Sequence, residues 1–467
     1  MSTLVMKFGG TSVGSTGAIK QCVKIITDAR KNWPRTVVIT SALSGITDLL
    51  LDAVSKAAAG DIEGIELITS QLHDRHLTGI DELVKDPSER SIIASEIGKL
   101  LDQFSSLCQA VIVLGEASPR ANDAIASLGE RMSTRILSAA LRSSGIASEA
   151  IDATRLIITD NQYQSANPDF KASLTPTTQM LEPLFTKGIT PVVTGFLGAT
   201  QAGVTTTLGR GGSDFTAAIL GVLLKADEVW IWTDVDGVMT SDPRIVHSAQ
   251  TIDKISFREI SELAYFGAKV LHPKTIRPII EAGITLKVLN TFNPDHPGTL
   301  IVPDMAIHEG QIIKAVTIIK DLRLITIEGR GMLGVPGVAA RTFGAIAATG
   351  TSVPLISQAS SEQSICFAVP AHSAELVVKK IESEFEREIV RRDIDSVWAS
   401  DDVVIISVVG AGMRNIPGVA GKVFGKLGEN RVNVIAIAQG SSEVSISFIV
   451  SAKDGTRAVQ SLHDLIQ

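Results

Sequence analysis

The chain has 467 residues, too many for one ordinary domain and enough for two or three domains, each with its own hydrophobic core. Apolar residues make up 45% and charged residues 20%, a balance that is typical of packed globular proteins and argues against extensive disorder. The chain has a net charge of -7, whereas proteins that bind nucleic acids usually carry a basic surface, so we expect no nucleic-acid partner.

The cysteines and the N-terminus give no sign of export. Cys22, Cys108 and Cys366 lie far apart without C-x-x-C spacing, which argues against a disulfide framework or a zinc site. The N-terminus lacks a basic region followed by an apolar core, and we expect no apolar run long enough to cross a bilayer. The sequence therefore predicts a cytoplasmic protein with no membrane partner.

Short apolar strands alternate with loops of small residues at the start of the chain. Residues 4–8 predict a strand, followed by the loop 9–12 and a helix from about Ile19. A second predicted strand, 36–40, ends at another loop of small residues, 41–45. Repeated strand-loop-helix units favour a parallel sheet with helices on both faces.

The following segment is mainly helical before strands return. Leu, Ile, Ala, Glu and Lys recur at helical spacing over residues 48–144, which predicts a largely helical layer. Strands are predicted again at 191–196 and 228–233, and the strongest turn cluster of the second half covers 293–299. We place the first domain at residues 1–304.

The last third of the chain is an internal duplication. Residues 335–344 align with residues 416–425, and the same offset of 81 residues carries Gln358 to Gln439 without a gap. Each copy predicts strand, loop, helix, strand, strand, which is a small βαββ unit. The predicted domains are 305–398 for the first copy and 399–467 for the second.

The first loop suits a phosphate group. Phosphoryl transfer needs positioning and positive charge, and glycines let backbone N–H groups approach phosphate oxygens. Lys7-Phe8-Gly9-Gly10 supplies both the glycines and a lysine. Taken alone, however, the string fits a plain tight turn equally well.

The second glycine-rich loop, residues 209–214, is more specific. Arg210 can bind a carboxylate through a bidentate pair of hydrogen bonds. Asp214 has two interpretations, the N-cap of a helix that starts at Phe215 and a carboxylate that orients lysines around the reacting phosphate, and we favour both roles together. The chain has no G-x-x-x-x-G-K-[ST] string and no H-R-D or D-F-G string, so the phosphate site belongs to neither the P-loop nor the protein kinase class.

Three further strings carry a resemblance to a known family: LGERMS at 128–133, WTDVDGVMTSDPR at 232–244 and FGAKVLHP at 266–273. Together with KFGGTSV and GRGGSD, they resemble the amino acid kinase family, and within it the aspartate kinases, while the duplicated units resemble ACT domains. The resemblance covers nearly the whole chain. It implies an α/β fold, with an amino acid kinase-type open sheet sandwiched by helices and followed by two βαββ-type ACT units.

The resemblance also implies an activity and its residues. The expected reaction is phosphorylation of the side-chain carboxylate of L-aspartate by ATP, the first step towards lysine, threonine and methionine. The implied catalytic residues are Lys7, Asp214 and Lys269. The implied aspartate-binding residues are Ser41, Thr47, Glu130 and Arg210, with Glu130 on the α-ammonium and Arg210 on the α-carboxylate. Magnesium is implied as the partner of ATP, and we assign it no protein ligand because the sequence shows no carboxylate cage.

The nucleotide contacts follow from the same motifs. They are Lys7, Phe8, Gly9, Gly10, Gly211, Gly212, Ser213, Thr233, Asp234, Met239, Arg244, Lys269 and Val270. Met239 stands where relatives commonly have a tyrosine.

The ACT-like pair implies feedback regulation by an amino acid. The implied effector-binding residues are Ser352, Gln358 and Gln439. The stretch 356–370 is closer to threonine-sensitive relatives, and Pro354 stands where lysine-sensitive relatives tend to have an aspartate, so we expect L-threonine as the effector. The alternative is that these polar loops only cap strands. Paired ACT units also imply a homodimer or a dimer of dimers.

Three other functions remain to be weighed. A kinase acting on glutamate or N-acetylglutamate would usually lack the ACT pair. A non-catalytic amino-acid sensor would not need the intact Lys7, Glu130, Arg210, Asp214 and Lys269. A kinase fused to homoserine dehydrogenase would need a G-x-G-x-x-G segment after the second repeat, and none follows, so we expect a kinase without that fusion.

Overall fold

The computed structural model describes residues 2–265, 271, 273–303, 312–332, 335–359, 363–413, 415–440 and 443–466. The strands are β1 (Thr3–Phe8), β2 (Arg35–Thr40), β3 (Ser148–Ile151), β4 (Ile158–Thr159), β5 (Thr190–Thr194), β6 (Leu197–Thr200), β7 (Thr205–Thr207), β8 (Glu228–Thr233), β9 (Lys254–Ser256), β10 (Thr285–Asn290), β11 (Thr299–Val302), β12 (Ala315–Glu328), β13 (Leu355–Gln358), β14 (Ser364–Pro370), β15 (Ser396–Val409), β16 (Ala436–Gln439) and β17 (Ser445–Ser451).

The helices are α1 (Thr16–Arg30), α2 (Ile46–Ala58), α3 (Ile62–Leu83), α4 (Pro87–Leu114), α5 (Pro119–Ala126), α6 (Leu128–Ser143), α7 (Phe170–Thr186), α8 (Gly212–Leu223), α9 (Phe257–Tyr265), α10 (Pro273–Glu281), α11 (Val338–Ala347), α12 (Ala374–Glu384), α13 (Glu386–Arg391), α14 (Val419–Glu429) and α15 (Gly455–His463). The chain divides into two compact units. The first contains the described residues of Met1–Val238, Thr251–Phe257 and Val270–Asp304, and the second contains those of Met239–Gln250, Arg258–Lys269 and Met305–Gln467.

An eight-stranded sheet forms the centre of the first unit. Its order is β3-β5-β2-β1-β8-β10-β11-β9, and every neighbouring pair is parallel except β10 with β11. Every residue of β1 is buried, which explains why its apolar residues Leu4, Val5, Met6 and Phe8 do not alternate with exposed polar ones. A small second sheet, in the order β4-β6-β7, leads into the loop of Arg210. The predicted helical layer is confirmed, because α2 to α6 fill residues 46–143.

Helix α4 departs from the expectation that no segment could span a bilayer. Among the described helices it is the one whose length and apolar content would allow it to cross a membrane. One face of α4, which includes Ile97, Leu101, Phe104 and Cys108, is buried in the core of the first unit. A core helix passes the same length and hydropathy test, so part of its apolar content is explained by packing against α2, α3 and α6.

The turn before β11 depends on a glycine. Gly298 has φ +72°, and a Cβ at this position would collide with the carbonyl oxygen of Val288 and would lie 2.8 Å from Leu289 Cδ2. We expect Gly298→Ala to lower the free energy of unfolding by about 3 kcal/mol or more, because the backbone of β10 cannot move away cheaply. Gly283→Ala is the matched control, since Gly283 has φ +67° and open space around it. It should cost only about 1 kcal/mol, and equal losses in denaturant unfolding would contradict the steric argument.

The second unit is built on a six-stranded antiparallel sheet in the order β13-β14-β12-β15-β17-β16. The duplication is visible in its packing. In each repeat a phenylalanine of the helix meets one of a strand edge to face: Phe343 with Phe367 at 5.7 Å and 66°, and Phe424 with Phe448 at 5.7 Å and 65°. Both pairs obey the offset of 81 residues, so the repeat predicted from the sequence is confirmed in three dimensions.

The two repeats share their longest strands. Residues 315–319 of β12 pair with 405–409 of β15, which belong to the second repeat, whereas residues 322–328 pair with β14 of the first repeat. The second repeat is thus completed by residues 315–319, a strand segment from the beginning of the first repeat. Each four-stranded half has its own apolar cluster, around Phe367 in the first repeat and around Phe448 in the second.

Candidate active site

Three parallel strands end side by side at one edge of the large sheet. In the register of β1, Phe8 lies opposite Thr40 of β2 and Trp232 of β8. The loops that leave these strands are joined by backbone hydrogen bonds, from Gly9 N to Trp232 O at 3.2 Å and from Ser41 N to Phe8 O at 3.1 Å. The carboxyl edge of an open parallel sheet is where α/β proteins bind ligands. This edge is the candidate site.

Glycines let the first two loops pack against each other. A Cβ on Gly10 would lie 3.2 Å from Ala42 O, and one on Gly14 would lie 3.0 Å from Ser44 Cβ. Larger residues would push the loop after β1 away from the loop after β2. The K-x-G-G string is therefore more than a simple turn, because it also fixes the distance between two loops.

Lys7 and Asp214 form a nearly buried ion pair at this edge. Lys7 Nζ lies 2.6 Å from Asp214 Oδ1, and the two side chains are only 11% and 14% exposed. Lys7 Nζ is also 3.5 Å from the position that a Cβ of Gly9 would take, so its charge is held at the first glycine of the loop. The structure thus brings together two residues that are 207 positions apart in the sequence.

The helix start at Asp214 differs from the prediction. Helix α8 begins at Gly212 rather than at Phe215, and its N-cap is Gly211, which has φ +71°. The interpretation of Asp214 as an N-cap is therefore wrong, and Asp214 lies in the first turn of the helix. A carboxylate there is stabilised by the positive end of the helix dipole. Gly212 N already donates to Gly209 O at 2.9 Å, whereas the next two amides of α8, of Ser213 and Asp214, have no hydrogen-bond partner among the described residues and can donate to an anion.

Glu130 is a buried carboxylate that lacks a positive partner in the part of the chain that the structure describes. It lies in the first turn of α6, is 3% exposed, and accepts a hydrogen bond from Ala42 N at 3.2 Å through Oε1. Oε2 has no hydrogen-bond partner among the described residues. Burial raises the pKa of Glu130 to about 8. Such a group favours a ligand that brings a cation, because an unpaired buried charge is costly.

The remaining predicted aspartate contacts surround the same loops. Ser41 follows β2, and its carbonyl accepts a hydrogen bond from Ser133 Oγ at 2.5 Å. Thr47 lies half-buried in the first turn of α2, a helix whose N-cap is Gly45 with φ +76°. Arg210 is exposed and has no hydrogen bond or ion pair to any residue that the structure describes. Its guanidinium is thus available to a ligand.

The predicted nucleotide contacts divide between the two units. The first unit holds residues 7–10 and 211–213, together with Thr233, whose Oγ1 donates to Asp234 Oδ1 at 3.2 Å. Met239 and Arg244 belong to the second unit, in which Arg244 forms an ion pair with Asp242 at 2.7 Å. Lys269 and Val270 lie outside the described residues. Their roles stay predictions from the sequence.

The predicted effector residues lie in the duplicated unit. Gln358 ends β13 and Gln439 ends β16, and both side chains are exposed. Each glutamine pairs across its hairpin with an isoleucine, Ile365 or Ile446, so the two positions are equivalent in the two repeats. Ser352 is also exposed and precedes β13.

Two residues of the site were not found by sequence reasoning. Phe196 has φ +69°, unusual for a non-glycine residue, and its amide donates to Thr216 Oγ1 of α8 at 3.0 Å. Asp236 accepts hydrogen bonds from Asn290 at 2.8 Å and Asn293 at 2.9 Å, which lower the pKa of its carboxyl group. Asp236 holds the loop after β8. The D-x-D string contained a signal for this residue, whereas nothing local marked Phe196.

Comparisons with known proteins agree with this geometry. A sequence model of the amino acid kinase family matches residues 2–290, and a model of the ACT domain matches residues 325–385 and 406–465. The chain is 35% identical over 465 residues to the bifunctional aspartokinase/homoserine dehydrogenase 1 of Zea mays, and the alignment covers 98% of the chain and 50% of that relative. It is 33% identical over 477 residues to aspartokinase 3 of Arabidopsis thaliana, covering 99% and 81%. The chain thus spans about half the length of the bifunctional relative.

Solved structures show the same fold. The structure of E. coli aspartokinase III in complex with aspartate and ADP matches with a TM-score of 0.82 at 30% identity, over 99% of both chains. The same protein in complex with lysine and aspartate, described as the T-state, matches with a TM-score of 0.80 at 30% identity, also over 99% of both chains. The predicted fold class is confirmed. The chain belongs to the amino acid kinase family, and within it to the aspartate kinases that carry C-terminal ACT domains.

Proposed function

We propose that this chain is an active aspartate kinase, which transfers the γ-phosphoryl group of ATP to the side-chain carboxylate of L-aspartate and releases 4-phospho-L-aspartate and ADP. The observation that carries the proposal is Glu130, which lies beside the loop of Ser41 and whose buried Oε2 has no hydrogen-bond partner among the residues that the structure describes. An amino-acid substrate would supply the missing cation through its α-ammonium group. The aspartate and ADP named for E. coli aspartokinase III support this choice of substrates.

The substrate would be held at its two α groups. Glu130 would bind the α-ammonium, and Arg210 would bind the α-carboxylate through two parallel hydrogen bonds. Ser41 and Thr47 lie on the loops beside them. When both α groups are fixed, the side-chain carboxylate can meet the phosphate in line. This alignment of the reacting atoms supplies most of the rate advantage of orientation.

The phosphate would be bound mainly by Lys7 and by the amides at the start of α8. Lys7 neutralises charge on the transferring group, and Asp214, at 2.6 Å, holds the ammonium in place. A carboxylate is already ionised at neutral pH, so the attack on phosphorus needs no general base. By resemblance, Lys269 would add a second cation.

Magnesium is implied as the partner of ATP. Within the described part of the chain, no group of three or more His, Cys, Asp or Glu side chains could hold a metal ion. The described side chains therefore fit an ion that takes most of its ligands from the nucleotide phosphates, as Mg²⁺ commonly does. When bound, Mg²⁺ would neutralise the charge that develops on the β and γ oxygens.

An acceptor screen tests the proposed reaction. The purified chain would be incubated with ATP and magnesium and with aspartate, glutamate or N-acetylglutamate in turn, and hydroxylamine would trap any acyl phosphate. We expect a hydroxamate with aspartate and at most a trace with the longer acids. A signal with none of the three would favour the non-catalytic sensor.

For regulation, we propose that L-threonine binds near Gln358 and Gln439 and lowers the activity. Support comes from the equivalent, exposed positions of these glutamines in the two repeats and from Pro354, where lysine-sensitive relatives tend to have an aspartate. The E. coli relative is described in complex with lysine, so lysine is the natural competitor in the test. We also propose assembly through the ACT pair, as a homodimer or a dimer of dimers.

Inhibition assays separate the two effectors. We expect threonine to inhibit aspartate phosphorylation, and Gln358→Ala combined with Gln439→Ala to abolish that inhibition without changing the rate in the absence of effector. Both glutamines are exposed, so the double variant should fold normally. An enzyme that lysine inhibits and threonine does not affect would refute the threonine proposal.

A further inference from the structure

Asp123 is a second buried carboxylate in the first unit, and the proposed reaction does not use it. It lies in α5 and is 1% exposed. Its carboxylate accepts from Gln164 N, at 3.1 Å on Oδ1 and 3.0 Å on Oδ2, from Thr207 N at 3.0 Å and from Thr207 Oγ1 at 2.8 Å. Burial raises the pKa of Asp123, and these hydrogen bonds only partly offset that effect. No basic side chain among the described residues pairs with it.

The first segment that Asp123 holds is the loop between β4 and α7. Gln164 in this loop has φ +68°, a backbone conformation that is unfavourable for a residue with a side chain. Its amide points at both carboxylate oxygens of Asp123. A strained residue persists only when its surroundings fix it. The carboxylate of Asp123 fixes Gln164 directly, and a hydrogen bond from Ala166 N to Thr207 O at 2.9 Å holds the same loop against β7.

The second segment is the end of β7, which runs directly into the loop of Arg210. Thr207 is the last residue of β7, and its amide and hydroxyl both donate to Asp123. Two residues later, Gly209 lies against the loop of Gln164: a Cβ on Gly209 would be 3.1 Å from Gln164 O and 3.4 Å from Ser165 Cα. The loop that presents Arg210 therefore rests on the segment that Asp123 fixes, and it is tied to Asp123 at its start.

We propose that Asp123 is a positioning residue for Arg210, and that it sets the affinity for the α-carboxylate of the acceptor amino acid. The inference rests on the proposed function, in which Arg210 binds that carboxylate. A carboxylate is suited to the task because three donors, two amides and one hydroxyl, converge on it, and both of its oxygens accept. An asparagine would turn an NH₂ group towards one of these donors and release part of the support.

Two single variants and one double variant test this role through steady-state kinetics of the full chain with ATP, magnesium and aspartate. We expect Asp123→Asn to raise the KM for aspartate about tenfold, the effect of losing one good hydrogen bond to a charged group, and to change the KM for ATP by less than twofold. Thr207→Val removes one of the hydrogen bonds and keeps the carboxylate, so it should raise the KM for aspartate about threefold.

The double variant distinguishes positioning from general support of the fold. Adding Asp123→Asn to Arg210→Ala should produce no further fall in kcat/KM for aspartate, because Asp123 acts through Arg210. Fully additive effects, or an unchanged KM in Thr207→Val, would overturn the inference, and the second result counts even if Asp123→Asn does not fold. An inactive wild-type chain would instead overturn the proposed function, and this inference with it.

Discussion

Lys7→Ala should lower kcat for aspartate phosphorylation by about 10²-fold to 10³-fold, while aspartate still binds. The side chain ends at the first glycine of the loop, and its Nζ is 2.6 Å from Asp214, so its positive charge is held in a fixed place at the proposed phosphate site. Removing a fixed donor that stabilises developing charge typically costs about this factor. Turnover would be measured by ADP release, and aspartate binding by calorimetry.

Controls separate the loss of chemistry from the loss of structure. Lys31→Ala is the matched control, since Lys31 also pairs with an aspartate, Asp28 at 2.7 Å, but its side chain is 70% exposed. It should have no effect on turnover. Lys7→Ala leaves Asp214 as an unpaired, nearly buried charge, so the variant should also be less stable, and adding Asp214→Asn should restore part of the stability without restoring turnover. A Lys7→Ala enzyme within tenfold of wild type would refute the role of Lys7.

Strands of the first unit were predicted well because their cause is local. Residues 228–233 were predicted as a strand and form β8, since a buried parallel strand is a short run of apolar and β-branched residues. Helix starts were less accurate. The α1 helix begins at Thr16, where Ser15 caps it by accepting from Ala18 N at 3.2 Å, rather than at Ile19. The first residues of α1 are small, Thr16, Gly17 and Ala18, so hydrophobic spacing does not reveal them.

Long-range pairing limited the prediction of the duplicated unit. The offset of 81 residues predicted equivalent elements, and the matching phenylalanine pairs confirm it. The exchange of strands between repeats was not predicted, because it depends on which half of β12 pairs with which half of β15. Sequence patterns record which face of a strand is buried but not which partner covers it.

The motifs identified the members of the site but not their electrostatics. Lys7 and Asp214 were predicted to cooperate, and the structure places them in contact. The raised pKa of Glu130 could not be predicted, since it arises from complete burial against the loop of Ala42 rather than from any neighbour in sequence. Asp123 was missed for the same reason, because its donors come from segments about 40 and 84 residues away.

Glu130→Gln should raise the KM for aspartate by about 100-fold or more, because the amide cannot neutralise the α-ammonium of the substrate. The hydrogen bond from Ala42 N can be retained by the amide oxygen, so the loop of Ser41 should keep its position. Glu66→Gln, an exposed change on α3 of the same unit, is the control and should leave KM unchanged. A Glu130→Gln enzyme with wild-type KM would refute the proposed ammonium site.

The pH dependence gives Glu130 a second, independent test. Because its pKa in the free protein is raised from 4.5 to about 8, the carboxylate is mostly protonated at pH 6 and must lose this proton to bind the ammonium. The affinity for aspartate should therefore increase between pH 6 and pH 8 in the wild type, and stay flat over that range in Glu130→Gln.

The contribution of Glu130 to the stability of the fold changes with pH in the opposite direction. A raised folded-state pKa favours the folded state at low pH, and that advantage is lost as the pH rises from about 4.5 to about 8. Glu130→Gln has no ionisable group at this position and does not lose this stability. The difference in melting temperature, variant minus wild type, should therefore increase between pH 5 and pH 8.5. A constant difference would mean that Glu130 is ionised throughout, and that a positive partner already lies beside it in the free protein.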